Sequence, residues 1–459
     1  MRKSAMLAAR LALAGLFVAS SFAGGAARAE APAAEAPTPD LLGGYPDGLF
    51  LRTRDSGIVL LPGARLQIDG AFFPRQDPKS GLFVRRARLE LRGWLGGDFY
   101  FDVSNDFAPP PPAGTDVAPS ALPAADDYLA FAPLGDRAIL QVGQFDAPFT
   151  LENRTSDAYT DFIERAMTAR TLGVPRNKEV GAMLHGVVAD GRLTYAVGLF
   201  NGDGPGFRSV DNQATVIGRV AVTPLATSDG ALSRLTIGGS AWYGDHVLGP
   251  EAAVQATPGG VVFFQPHWTV GPAPSQLVEL HEQGSTAAFA GELSLPIAHR
   301  LGLRGEVVWK KQHLTEAEVS ATGGLSPMGD AVLDGLAGYG ELWLWLLGDD
   351  RLLPVPGQEL PLRLAAGAPS FAHGLQLALR GEVLKEDLDS DNHLLGDPGL
   401  ATTRVVSGTA GLTYWRGRFV RLSINYVLNY WSGTSETIQA LIEQGRLEHE
   451  VLLRAALSL

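Results

Sequence analysis

Four arginines occur close together in an otherwise acidic chain. The stretch FVRRARLELRGWL contains Arg85, Arg86, Arg88 and Arg92, although the 459-residue chain has a formal net charge of −12. A guanidinium group binds oxyanions through paired hydrogen bonds, and it pairs with carboxylates in the same geometry. The run therefore has two interpretations, a basic ladder that attracts anions or a set of pairs with neighbouring acids such as Glu90. The acidic balance of the whole chain argues against nucleic acid as a partner.

The remaining residue types predict no catalytic or metal centre. Cysteine is absent, and the nine histidines form no His-x-x-x-His pair. The sequence also lacks nucleophile-elbow, phosphate-loop and dinucleotide glycine motifs. The acidic stretch EDLDSDNH starts at Glu386, but counting from Asp387 it places Asn392 and Pro398 where a calcium loop needs glycine and glutamate. We therefore expect no cofactor, no metal and no enzymatic activity, and a solvated surface loop at this stretch.

The arginine run alternates with apolar residues as a half-buried strand requires. Positions 86, 88, 90 and 92 are charged, whereas positions 87, 89 and 91 are apolar, so each set would share one face. Arg85 is the exception, since it falls on the apolar face. A helix is the alternative within this window, because Ala87, Leu91 and Leu95 are four residues apart. The alternation recurs along the chain, as in ARLQIDGAFF and INYVLNYW, and long capped helices are missing, so the sequence predicts an all-β protein.

The connections between the predicted strands alternate between long and short. Tight turns such as LGGD and WRGR are separated by long segments such as 147–177 and 245–280. An up-and-down barrel in an outer membrane shows this asymmetry, with short periplasmic turns and long outer loops, and it closes because lipid cannot satisfy an open sheet edge. We predict a transmembrane antiparallel up-and-down β-barrel of about sixteen strands over residues 46–459. Its pattern includes a long loop at 315–334 and one departure, a long turn at 349–372.

The first 45 residues have a different composition. Arg2, Lys3 and Arg10 precede an apolar run at 11–23, and Ala27-Arg28-Ala29 fits a small-x-small cleavage site. This pattern predicts a signal peptide over residues 1–29. An Ala/Pro-rich periplasmic linker follows over residues 30–45. We therefore expect export to the outer membrane of a Gram-negative bacterium, with apolar strand faces toward lipid and polar faces toward the lumen.

Several segments together resemble the phosphate-selective porin family, porins O and P. These are RRARLELRGWLGGDFYFDVSNDFA, VGQFDAPFTLENRTSDAYTDFIERAM, YAVGLFNGDG and the closing INYVLNYW and HEVLLRAALSL. The resemblance covers about residues 45–459 and implies a sixteen-stranded, trimeric outer-membrane channel whose third loop folds into the barrel. That loop runs from about Pro148 to Lys178. Its charged residues are implied to form the constriction, namely Glu152, Arg154, Asp157, Asp161, Glu164, Arg165, Arg170 and Arg176.

Lumenal arginines attract anions in this family. The resemblance carries this role to Arg86, Arg88 and Arg92, and strand parity extends it, so that the candidate pore-lining residues are Arg65, Arg86, Arg88, Glu90, Arg92, Arg219, Arg304, Arg380, Arg421 and Arg454. The family's lysine cluster does not carry over, because the chain has only six lysines, and the last residue is Leu459 rather than an aromatic. Each arginine either shapes ion selectivity or pairs with an acid to hold the wall, and the loop charges have the same two interpretations.

The sequence thus predicts an outer-membrane porin, a water-filled channel for passive diffusion of small hydrophilic solutes with a preference for anions or phosphate. Its expected partners are outer-membrane lipid, small hydrophilic or anionic solutes and two further copies of the chain. The alternative is a structural barrel that docks partners through its long loops without significant conductance. A barrel enzyme is a third, weaker interpretation, because no local motif supports it.

Overall fold

The computed structural model describes most of the chain beyond residue 48. The described residues are 42–44, 49–74, 79–108, 125–206, 208–228, 230, 232–270, 276–320, 323–357, 360, 372–390 and 401–459. The predicted signal peptide and nearly all of the predicted linker lie outside these residues, and both stay predictions.

A single antiparallel sheet closes on itself, which confirms the predicted fold class. Sixteen strands of at least five residues pair in chain order within the described residues, and the last strand pairs with the first, as between Arg454 and Asp69. We number these strands β1 to β16, with bounds Ile58–Phe72, Gly81–Leu95, Phe99–Asp106, Asp127–Phe131, Ile139–Asp146, Lys178–Val188, Leu193–Phe200, Thr215–Val222, Thr236–His246, Gln276–Ile297, Leu301–Val319, Leu325–Leu347, His373–Ser390, Ala401–Arg416, Val420–Gly433 and Leu447–Ser458.

Shorter elements complete the structure. Strands Leu42–Gly44, Phe50–Arg52 and His267–Val270 extend the sheet, and Gln255–Ala256 pairs separately with Val262–Phe264. Helices α1 and α2 span Met167–Arg170 and Glu436–Gln444, and single 3-10 turns lie at Gly135–Arg137, Pro175–Asn177 and Asp350–Leu352. Among the helices that the structure describes, none combines the length and the apolarity of a membrane span.

The barrel is apolar outside and polar inside. Leu89 and Leu199 are each 60% exposed on the outer face, whereas Arg304 and Glu306 lie buried on the inner face. A protein surrounded by water places these residue types the other way round. Lipid around the outer face reverses the preference, since a charged side chain facing the bilayer midplane costs about 2–4 kcal/mol. The alternating sequence pattern is therefore the pattern of the two faces of one wall.

A β-bulge corrects the predicted position of Arg85. Gln67 pairs with Arg86 and the next residue, Ile68, pairs with Val84, so Arg85 is the extra residue between two ladder pairs. An inserted residue changes the alternation of faces at that point. The Arg85 guanidinium consequently turns away from lipid and lies 3.2 Å from the Glu164 carboxylate.

The barrel has two different ends. The end that carries the start of β1 and the end of β16 is the turn end, and Gly96 and Gly97 close its β2–β3 turn with φ values of +65° and +84° that favour glycine. At the opposite loop end the predicted long loop at 315–334 is wrong. Strands β11 and β12 extend through most of this segment and leave a connection of five residues, 320–324. Both strands are longer than the roughly 9–11 residues that a strand needs to span a membrane.

The acidic stretch after Glu386 also differs from the predicted surface loop. Residues 386–390 belong to β13, and the buried Glu386 carboxylate accepts a hydrogen bond from Gln255 at 2.7 Å. Asp387 instead faces Lys385 of the same strand and Thr402 of the neighbouring strand. The rest of the stretch, 391–393, lies outside the described residues.

Candidate functional site

The third loop, residues 147–177, lies inside the barrel. It leaves β5, and its apolar side chains Phe149, Phe162 and Met167 are almost completely buried. An interior loop needs partners for its backbone, because a buried peptide group without a hydrogen bond is costly. The charged and amide side chains of the inner wall provide these partners.

Arginines of β11 and β13 hold one side of the third loop. Arg304 pairs with Asp161 of the loop and with Glu341 of β12, each at 2.9 Å. Arg380 lies 3.8 Å from the Glu152 carboxylate and donates to the Glu164 carbonyl at 3.2 Å. These contacts favour the structural interpretation of both arginines.

Two further arginines bind loop backbone from β15 and β16. Arg421 donates to the Phe162 carbonyl at 2.8 Å, and Arg454 donates to the Ile163 carbonyl at 2.6 Å. Arg454 is fixed by a bidentate pair with Asp69, whose two distances are 2.8 and 2.7 Å. The guanidinium groups therefore clamp the middle of the loop.

Carboxylate and amide acceptors of the wall bind the loop amides. Asn425 accepts from the Ile163 amide at 2.8 Å, and Glu382 accepts from the Met167 amide at 2.6 Å. Glu306 accepts from the amides of Leu151 and Glu152. None of these three acceptors is among the predicted site residues, although Asn425 lies on the polar face of its strand, as Arg421 does.

Two loop carboxylates reach the arginine-rich strands on the other side. Asp157 pairs with Arg65 and with Arg86, the latter at 2.8 Å, and Glu164 pairs with Arg85. Burial alone would raise both carboxyl pKa values, but the guanidinium charges outweigh it. The pKa of Asp157 is held well below its usual range, and that of Glu164 falls to about 2. Both groups therefore stay ionised in mildly acidic solution.

The depressed pKa of Glu164 predicts a pH-dependent contribution to stability. A lowered folded-state pKa stabilises the fold above the unfolded value, near 4.5, and that contribution disappears as pH falls toward 2. We expect Glu164→Gln to lower the free energy of unfolding by on the order of 2 kcal/mol at pH 7 and by almost nothing at pH 2. Guanidinium unfolding of the refolded protein in detergent measures this, with exposed Glu443→Gln as the control. A difference that stays constant from pH 7 to pH 2 would contradict the prediction.

A cavity of about 330 Å³ lies between the third loop and the wall formed by β1 to β6. Its charged lining has eight basic side chains and five carboxylates, an excess of positive charge inside an acidic chain. The basic residues are Arg65, Arg86, Arg88, Arg92, Arg165, Arg176, Lys178 and Arg418, and the acids are Glu90, Asp102, Asp126, Asp146 and Asp157.

Arg88 and Arg92 are held less tightly than the arginines that clamp the loop. Arg88 approaches Glu90, Asp106 and Asp126 only at 3.8–4.0 Å, and Arg92 lies 3.4 Å from Glu90. The shortest carboxylate contacts of the clamping arginines Arg304, Arg380 and Arg454 are 2.7–3.1 Å long. The long contacts leave hydrogen-bonding capacity on both guanidinium groups.

The remaining predicted charges have local roles. Arg165 donates to the loop carbonyls of Glu152 and Thr155, and Arg154 donates to the Asp146 carbonyl at 2.7 Å. Arg170 contacts the Ala256 carbonyl across the lumen, and Arg219 pairs with Glu292. Arg176 is exposed at the cavity. The candidate residues thus divide into a clamping set, a cavity-lining set and a set with local contacts only.

The described part of the long connection between β12 and β13, residues 348–357 and 360, folds inward, which accounts for the departure from the loop pattern. Gly357 accepts from Arg219 at 3.0 Å and donates to Thr155 at 3.2 Å, while Leu360 packs near the base of β1. From the loop end, the β9–β10 connection also enters the lumen, because the Gly259 amide donates to Glu450 at 2.9 Å. Segments from both ends therefore narrow the lumen around the third loop.

Comparison with known proteins identifies relatives of this architecture. Residues 63–248 match the family described as phosphate-selective porin O and P, which confirms the resemblance. No curated protein matches the chain. Similar solved structures include a loop L8 deletion mutant of OmpT, an outer membrane protein of Vibrio cholerae. Its sequence identity is 11% and its TM-score is 0.51, and the alignment covers 88% of this chain and 100% of that one. The outer membrane channel DcaP of Acinetobacter baumannii has 12% identity, coverage of 89% and 99%, and a TM-score of 0.44.

Proposed function

We propose that this chain, whose residues 63–248 match the phosphate-selective porin O and P family, is an outer-membrane channel for small hydrophilic solutes that prefers anions. The observation that carries the proposal is the positive excess around the cavity beside the third loop. In a narrow lumen with walls of low dielectric constant, such an excess concentrates anions and lowers their barrier to passage.

The scarcity of lysine changes how an anion is recognised. Arginine offers a planar fork of donors that matches phosphate or carboxylate, whereas lysine acts as a point charge. The carboxylate contacts of Arg88 and Arg92 are 3.4–4.0 Å long, so these two are the proposed anion contacts. The acids beside them limit selectivity, since Glu90, Asp102 and Asp126 line the same cavity.

Planar-bilayer recording tests the proposal directly. We expect stepwise single-channel currents from the refolded protein, and under a tenfold potassium chloride gradient a reversal potential displaced toward the chloride equilibrium value. Heat-modifiable migration in gel electrophoresis identifies the folded barrel. Folded protein that inserts but carries no current would contradict the channel function, whereas a potassium-selective current would contradict only the anion preference.

A specific observation favours the alternative of a docking barrel. The β9–β10 connection covers the inner wall near β16, and Phe263 packs 6.0 Å from the Trp431 ring, so the loop end is partly filled. A barrel that docks partners through this end would show no conductance in either the wild type or a variant lacking residues 251–266. A channel with an occluding loop would instead gain conductance in that deletion.

We also propose a homotrimer, as the family resemblance implies. Native mass spectrometry of the detergent-solubilised protein distinguishes this state from a monomer. A monomer of full conductance would contradict the trimer and leave the channel proposal intact.

A further inference from the structure

A second cluster of ionisable residues lies at the loop end, away from the cavity beside the third loop. Asp203 and Asp211 belong to the connection between β7 and β8, His246 ends β9, and Glu282 lies on β10. One ligand atom each from Asp203, Asp211 and His246 lies within 4.8 Å of the others. The side chains of His246 and Glu282 are 1% and 3% exposed, and Asp203 is 6% exposed. Burial of this many carboxylates calls for a compensating cation.

Asp211 orients the histidine ring. Its Oδ2 atom lies 3.1 Å from His246 Nδ1 and also accepts from the Val247 amide at 2.9 Å. An ionised carboxylate favours the proton on Nδ1, and this leaves Nε2 with a free lone pair. A carboxylate that orients a histidine in this way is a common partner of metal-binding imidazoles.

The free nitrogen faces a second acceptor. His246 Nε2 lies 3.1 Å from Glu282 Oε2, yet the orientation is not that of a hydrogen bond, and neither atom has a hydrogen-bond partner among the described residues. The same holds for Asp203 Oδ1. Two acceptor lone pairs at this distance repel each other unless a cation lies between them. Ligand atoms of one tetrahedral ion with bonds near 2.0–2.1 Å are about 3.3 Å apart.

Charge and backbone geometry support the same interpretation. The surrounding carboxylates include Glu179, which accepts from the Gly204 amide at 3.0 Å, while Lys310 supplies a positive charge near Glu282. Gly202 has φ of +87° and passes so close to His246 that an added Cβ would lie 2.9 Å from ring atom Cε1. Glycine at this position lets the loop backbone approach the imidazole closely.

We infer that His246, Glu282 and Asp203 bind a divalent cation of the borderline class that zinc represents, with Asp211 as the positioning residue. Imidazole nitrogen together with carboxylate oxygen suits zinc better than calcium, which prefers oxygen ligands alone. The bound ion would fasten the connection at 201–214 to β9 and β10, so that metal content controls the order of this loop.

Zinc titration of the untagged mature protein, refolded in detergent and stripped with chelator, tests the inference. Calorimetry is expected to show one saturable zinc site per chain and much weaker calcium binding, and zinc is expected to raise the thermal unfolding temperature by ligand linkage. His246→Gln and Asp203→Asn are expected to weaken zinc binding at least about tenfold. His281→Gln is the matched control, because His281 also pairs with a glutamate, at 2.9 Å, but lies outside the converging set.

Several outcomes would overturn the site. One is the absence of saturable zinc binding below millimolar concentration. Another is an equal zinc affinity in His246→Gln, Asp203→Asn and the control His281→Gln. A third is calcium binding that is tighter than zinc binding. An unfolding temperature that changes with pH but not with zinc would assign the cluster to a proton rather than a metal. Asp211→Asn separates positioning from folding, since it should weaken zinc binding while the gel migration of the folded barrel stays unchanged.

Discussion

Replacing Arg88 and Arg92 with glutamate should convert the channel from anion to cation preference. Each reversal removes one positive charge and adds one negative charge, so the two together change the cavity's excess from three positive charges to one negative charge. Unit charges about 4 Å apart interact by about 1 kcal/mol in water and more strongly in a confined lumen. We therefore expect the chloride-to-potassium permeability ratio to fall by at least about tenfold. The reversal potential under a salt gradient measures this ratio.

Two matched variants separate cavity charge from other effects. Arg192→Glu with Arg351→Glu makes the same change of net charge at the turn end, outside the cavity, and should leave the reversal potential unchanged. Arg88→Lys with Arg92→Lys keeps the charge and should preserve the anion preference, with a smaller effect specific to phosphate because the planar fork is lost. A reversal potential that does not move in the glutamate variant would show that these two arginines do not govern selectivity.

The faces of the strands were predictable because their cause is local. Alternation with period two needs only the strand conformation and an apolar exterior, and residues such as Arg304 and Arg380 lie inside as parity requires. Arg85 was not predictable, since the bulge that turns it inward arises from the pairing of two strands. The same limit applies to the extended strands β11 and β12, whose pairing continues through residues that looked like a loop.

Whether an arginine clamps the third loop or lines the cavity depends on residues that are distant in the sequence. Arg304 and Asp161 are 143 positions apart, and the sequence alone gives no indication that the loop carries its acid to that part of the wall. The cation cluster is similar, because three separate segments supply Asp203, His246 and Glu282. The unusual length of the β12–β13 connection is visible in the sequence. The sequence does not indicate that its described residues fold inward. Composition and parity thus identify which residues face the lumen, and tertiary contacts decide what each does there.

We expect Arg304→Gln to release the third loop from the inner wall and so to enlarge the channel. Arg304 lies between Asp161 of the loop and Glu341 of the wall, at 2.9 Å from each, and it stacks over the Trp343 ring at 4.9 Å. Without the guanidinium, two buried carboxylates face each other with no cation between them. Removing one partner of a buried pair costs about 3–5 kcal/mol. We expect a lower free energy of unfolding and a larger, noisier single-channel conductance.

The charge-balanced variant distinguishes loop release from a general loss of packing. Arg304→Gln combined with Glu341→Gln removes the cation and one of its two acids, so Asp161 no longer opposes a second buried carboxylate. The conductance of this double variant should return most of the way to the wild-type value, because the two glutamines can hydrogen-bond across β11 and β12, where positions 304 and 341 are directly paired. If the single and double variants both keep the wild-type conductance, Arg304 does not hold the loop. If both are equally noisy, the guanidinium itself and not the balance of charge keeps the third loop against the wall.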